Sequence, residues 1–144
     1  MEFKKHNPIG NEEKRLVNEV LDSGNLSQFL AQWGPDFYGG PFVQKLERSS
    51  EKYFGTRNAI TFNSWTSGLV AAMGAMGISP GDEVIVTPWT MSASAMAILH
   101  WNGIPVFADI DRDTYCLDPV SVESKITSKT KAIMSVDIFG QSAN

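Results

Sequence analysis

The stretch Asn63-Ser64-Trp65-Thr66-Ser67-Gly68-Leu69 decides how this chain is organised. It follows Asn58-Ala59-Ile60-Thr61-Phe62, whose apolar and β-branched residues suit a buried parallel strand, and it precedes an apolar run of helical length. A strand that ends in small polar residues and turns straight into a helix leaves first-turn N–H groups at the positive end of the helix dipole. Such an end accepts a phosphate. Ser64, Thr66 and Ser67 supply hydroxyls there, although each, taken alone, is equally a helix cap.

Working outward, the pattern alternates. It predicts strands at 58–62, 83–87, 104–108 and 131–136, and helices at 66–77, 92–102 and 119–126. Strand, helix, strand at these lengths argues for βαβ units in a mostly parallel sheet, with right-handed crossovers that bring the polar turns to one edge. Gly81-Asp82-Glu83 is the turn into Val84-Ile85-Val86-Thr87, which ends at Pro88-Trp89-Thr90-Met91. This second polar turn can hold a planar ring whose phosphate is clamped by the first. Trp89 and Met91 are the candidates for touching that ring, the competing reading being plain core or rim residues.

Upstream, Asn11-Glu12-Glu13 followed by Leu16, Val17, Val20 and Leu21 at helical spacing, with Gly24 beyond, predicts a capped amphipathic helix outside the main core. Residues 25–40, rich in aromatics and glycine, read as an ordered loop. Pro41 suits the first turn of a helix that carries Phe42, Val43, Leu46, Tyr53 and Phe54 and stops at Gly55.

The 144 residues, 42% hydrophobic and 19% charged, fit one continuous α/β unit without repeats or linkers. A net charge of −4 with no basic run excludes the electrostatic footprint that nucleic acid or an anionic membrane surface requires. No stretch reaches membrane-spanning length, and Met1–His6 lacks the apolar core of a signal peptide. Cys116 is the sole cysteine and stands in no metal-ligand spacing with His6 or His100, so a reducing, cytoplasmic setting without a metal is the expectation. Asp109, Asp111 and Asp113 read as solvated turn carboxylates rather than a cation site, and His100, late in an apolar helix, as structural.

Gly77-Ile78-Ser79-Pro80-Gly81-Asp82-Glu83-Val84-Ile85, Pro88-Trp89-Thr90-Met91 and Gly103-Ile104-Pro105-Val106-Phe107-Ala108-Asp109-Ile110-Asp111 closely resemble the DegT/DnrJ/EryC1/StrS sugar aminotransferase family. Asp113-Thr114-Tyr115, Leu117-Asp118-Pro119, Ile126-Thr127, Lys129-Thr130-Lys131-Ala132-Ile133 and Phe139-Gly140-Gln141 continue the resemblance in order, and Gly39-Gly40-Pro41-Phe42-Val43 is similar to its leading loop and helix.

The resemblance implies the three-layer, mostly parallel α/β fold of an aspartate-aminotransferase-like (fold type I) large domain, of which this would be the N-terminal portion. It implies residues 1–34 as a leading helix and loop and 35–144 as a partial large domain. It also implies pyridoxal 5'-phosphate as cofactor and transfer of an amino group from glutamate to a nucleotide-linked keto sugar, in amino-sugar and polysaccharide biosynthesis, by a cytoplasmic homodimer. By position, Thr66 and Ser67, with Ser64, contact the cofactor phosphate, and Met91 stands where an aromatic ring usually stacks on the pyridine, with Trp89 able to compensate.

Three departures stand out. Trp65 replaces a glycine, so the loop must adopt a conformation that an L-residue tolerates, with the indole expected to point away from the phosphate. Met91 replaces the aromatic stack at a cost of about 1 kcal/mol. Asp137 replaces a common His on the substrate side.

No residue up to Asn144 matches the family's Schiff-base lysine, Lys125, Lys129 and Lys131 included, nor its pyridinium-pairing Asp, so no catalytic residue is assigned. The expectation is a fragment that does not catalyse by itself and that, with unpaired sheet edges and apolar surface, self-associates or packs loosely. The alternatives are a non-catalytic pyridoxal- or phosphate-binding module, a pyridoxal-dependent sugar dehydratase of the same family, and a flavodoxin-like phosphate-binding domain.

Overall fold

The computed structural model describes residues 7–144 apart from 27, 30 and 31. Met1–His6 and those three positions of the predicted loop therefore lie outside the described residues. The chain forms two compact units that divide between Thr61 and Phe62, whereas the sequence points to a boundary at 34/35.

The first unit carries helices α1 (Asn11–Ser23) and α2 (Pro41–Phe54). The N-cap of α1 is Gly10 rather than Asn11, and the Glu13 carboxylate reaches back to accept the Gly10 N–H at 2.7 Å. Gly24 and Gly55 end α1 and α2 in the left-handed conformation that favours glycine. The predicted loop contains a 3₁₀ turn, Pro35–Tyr38, whose Phe37 and Tyr38 pack edge to face with each other and with Trp33 just before the turn. Neither helix contributes a buried side chain among the described residues.

No strand forms at 58–62. The Ala59 N–H is taken by the Glu51 carboxylate at 3.2 Å, and the Thr61 N–H by that of Glu47 at 2.9 Å. Glu47 and Glu51 lie one turn apart on α2, so their spacing serves alternate residues of an extended segment in place of a neighbouring strand.

The second unit runs α3 (Trp65–Ala75), β1 (Glu83–Val86), α4 (Ser92–His100), β2 (Ile104–Phe107), α5 (Pro119–Lys125) and β3 (Thr130–Met134). The strands form a parallel sheet in the order β2-β1-β3. The central strand β1 is covered on both faces. Val84 and Val86 pack with Met73 of α3 and Ala97 and Ile98 of α4, while Ile85 packs on the other face with Ala108, Leu117 and Val122 of α5. That is why Val84-Ile85-Val86 is an unbroken apolar run. Pro105, which has no N–H to give a ladder, sits on the edge strand β2.

Gly74 lets α3 and α4 approach: a Cβ there would stand 2.3 Å from the Trp101 ring, which is itself held by donating its Nε1–H to the Val70 carbonyl at 2.8 Å. The predicted helices and strands of this unit all form, mostly ending a residue or two short of the pattern; α4 stops at His100 because Asn102, at φ 56°, turns the chain into Gly103 and β2.

Candidate functional site

β1 leads through α4 to β2 on one side of it, and the chain returns through α5 to place β3 on its other side. The turns after β1 and β3 therefore diverge, and a crevice opens outside their carboxyl ends, where open α/β sheets receive ligands. A cavity of about 570 Å³ lies there. Its walls come from three places: Trp65, Thr66 and Leu69 at the start of α3; Thr90, Met91, Ala93 and Ser94 where β1 passes into α4; and Met134–Phe139 at the end of β3.

Ser64 is the N-cap of α3, its hydroxyl accepting the Ser67 N–H at 3.2 Å. The capping reading of Ser64 is thus realised, and the Ser67 N–H is spent on it. The N–H groups of Trp65 and Thr66, in the first turn, have no intrahelical acceptor and supply the positive end of the helix. Of the candidate residues, Thr66 and Met91 line the cavity; Ser64, Ser67 and Trp89 do not. The Trp89 N–H bonds to Thr87 Oγ1 at 3.0 Å, which folds the turn.

Met91 is the N-cap residue of α4 and is 76% exposed. Trp65 takes an ordinary helical position, as an L-residue can, and is among the residues that line the cavity while remaining 75% exposed. Gly68, one turn on, makes room: a Cβ there would come within 3.0 Å of the indole ring.

Several lining residues were not among the candidates named from the sequence. Thr90 and Ser94 share a hydroxyl–hydroxyl hydrogen bond of 2.8 Å, with Ser94 buried; a Thr and a Ser four apart at a helix start was the available clue. Phe139 is 93% exposed and sits at φ 50°, ψ 23°, a left-handed conformation uncommon outside glycine, Asn and Asp, and only the loop's fold puts it beside the cavity.

No lysine lines the cavity among the described residues. Likewise, no group of His, Cys, Asp and Glu among them could hold a metal ion. Asp111 Oδ1 accepts the N–H and hydroxyl of Thr114 and the Asp113 N–H, which, led by the Thr114 N–H, lower its pKa from the ordinary carboxylate value. It is a turn residue, and His100 is an exposed one at the end of α4. No described helix is long and apolar enough to cross a membrane.

The chain is 43% identical over 136 residues to the spore coat polysaccharide biosynthesis protein SpsC of Bacillus subtilis, covering 94% of this chain and 32% of that protein. It is 43% identical over 129 residues to the GDP-perosamine synthase of Caulobacter vibrioides, covering 90% and 32%. Among solved structures, NtdA of Bacillus subtilis with bound cofactor PMP superposes with a TM-score of 0.82 at 30% identity, covering all of this chain and 33% of that one. The chain thus spans about a third of the length of the relatives it matches. It shares the α/β fold of the fold type I aminotransferases, with the parallel sheet expected from its sequence. The profile of the DegT/DnrJ/EryC1/StrS aminotransferase family matches residues 7–144, and the chain belongs to that family.

Proposed function

We propose that this chain forms the phosphate and ring-face part of the cofactor site in a pyridoxal-phosphate-dependent aminotransferase of nucleotide-linked keto sugars. The observation that carries the reading is that Thr66, at the start of α3, and Met91, at the end of β1, line one cavity. The cavity fits the group in size, since drug-sized ligands occupy about 300–1,000 Å³. It fits in chemistry as well: first-turn N–H groups and the Thr66 hydroxyl suit the phosphate, and Met91 and Trp65 offer apolar surface to a ring. Ser67 supports through its bond to Ser64 rather than by contact.

Pyridoxal phosphate, when bound, supplies the electron sink for moving an amino group. The chain's own residues bind and orient. The N–H groups of Trp65 and Thr66 fix the anionic end, and the Thr90–Ser94 hydroxyl bond braces the turn that carries Met91. With no lysine among the described residues of the wall, this chain by itself is read as holding the cofactor reversibly without turnover. The complete protein is read as a cytoplasmic homodimer with glutamate as amino donor, and the name of the GDP-perosamine synthase relative supports a nucleotide-linked sugar as acceptor.

The test is a fluorescence titration of the chain with pyridoxamine phosphate. Saturable binding, competed by inorganic phosphate and weakened about tenfold by Thr66→Val, is expected, because a hydrogen bond to a charged group is worth about 1.5–3 kcal/mol. Absence of saturable binding, or an unchanged affinity in Thr66→Val, defeats the reading.

A further inference from the structure

Asp137 is the only ionisable side chain among the described residues that line the cavity; the rest of the wall is apolar or carries the hydroxyls of Thr66, Thr90, Ser94 and Ser135. One carboxylate oxygen, Oδ1, accepts the Ala143 N–H at 3.0 Å, which fixes the group in orientation. The other oxygen has no protein donor among the described residues, and none of their cations pairs with it. An ionised carboxylate only accepts hydrogen bonds. The cavity is therefore polar in a directed sense: first-turn N–H groups of α3 make one wall electropositive, and the end of β3 contributes a single negative charge.

A ligand that places an anion at α3 must present something other than an anion to Asp137. Resting on the cofactor reading above, we propose that Asp137 sets the substrate preference of this site. Its free oxygen accepts hydrogen bonds from hydroxyl or ammonium groups of the sugar, and its charge disfavours a sugar that carries a carboxylate at that end.

The experiment measures the affinity of the full chain for the reduced conjugates of pyridoxal phosphate with glucosamine and with the uronic acid of glucosamine, which differ by one carboxylate. Pyridoxamine phosphate is the reference. Wild type is expected to favour the glucosamine conjugate by about tenfold. Asp137→Asn keeps an oxygen for the Ala143 N–H, so it should leave pyridoxamine phosphate binding unchanged while bringing the two conjugates within about twofold. The same ratio in wild type and Asp137→Asn overturns the assignment, as does loss of pyridoxamine phosphate binding in the variant, which would mark Asp137 as structural. If wild type binds none of the three compounds, the cofactor reading fails and this assignment with it; binding of the reference with an unaltered ratio removes Asp137 alone.

Discussion

Helices α2 and α4 make an instructive pair. α2 is the longer and the more regularly amphipathic, with a Pro at its first turn and a left-handed Gly at its end, yet none of its described side chains is buried. α4 is nine residues long, has no clear apolar stripe, and buries Ser94, Ala97 and Ile98. The difference is the sheet. α4 lies against β1, whose Val84 and Val86 meet it directly, while among the described residues of the first unit no strand forms and Leu46, Tyr53 and Phe54 stay exposed. Local helix signals set where a helix starts and stops; burial, and most of the stability, comes from what it packs upon.

The largest effect should separate the two regions. Ile98→Ala is expected to cost about 2–5 kcal/mol in urea unfolding, the range for a fully buried aliphatic side chain, whereas Leu46→Ala, more than half exposed, should fall within about 0.5 kcal/mol. Equal losses would break the contrast.

Gly74→Ala sharpens it within the second unit. The added methyl would collide with a Trp101 ring anchored to Val70, and a cost of about 1–3 kcal/mol should appear in the unfolding midpoint. Trp101→Leu in the same background should recover part of it.

Next in size is the α3 cap. Ser64→Ala should cost about 1 kcal/mol and Ser64→Gly only a few tenths, measured by thermal unfolding. Equal losses for the two would mean that the hydroxyl does more than cap.

The smallest effect concerns pH. The pKa of Asp111 is lowered in the folded chain by the Thr114 N–H, the Thr114 hydroxyl and the Asp113 N–H, in that order. A carboxylate with a depressed folded pKa adds stability above its unfolded value of about 3.9 and loses it as pH falls through the folded value. The stability difference between wild type and Asp111→Ala should therefore be present at neutral pH and shrink as pH drops below that range; a difference that grows on acidification contradicts the assignment.

Much of the second unit was legible in the sequence. Val84-Ile85-Val86, the Gly81-Asp82 turn and Pro119 after Asp118 are strong local signals, and strand and helix lengths alternate as βαβ units require. The segment 58–62 was not legible in this way. Its β-branched residues favour an extended chain, and an extended chain forms, but a strand needs a neighbour, and here two carboxylates of α2 take that place.

The cavity divides along the same line. Thr66 and Met91 could be named from turn chemistry and the order of motifs, although only Met91 follows a strand of the sheet. Spacing cannot say which way a side chain leaves its turn. The Thr87 hydroxyl bond to the Trp89 N–H, the small Gly68 beside the Trp65 indole and the left-handed Phe139 are local features of the chain that spacing does not reveal. The sequence alone determined the family, the α/β alternation and the start of α3, since each depends on local order along the chain. The tertiary structure alone decided that Trp65 and Asp137 share a wall with Thr66 and Met91, because that depends on where three separate turns converge.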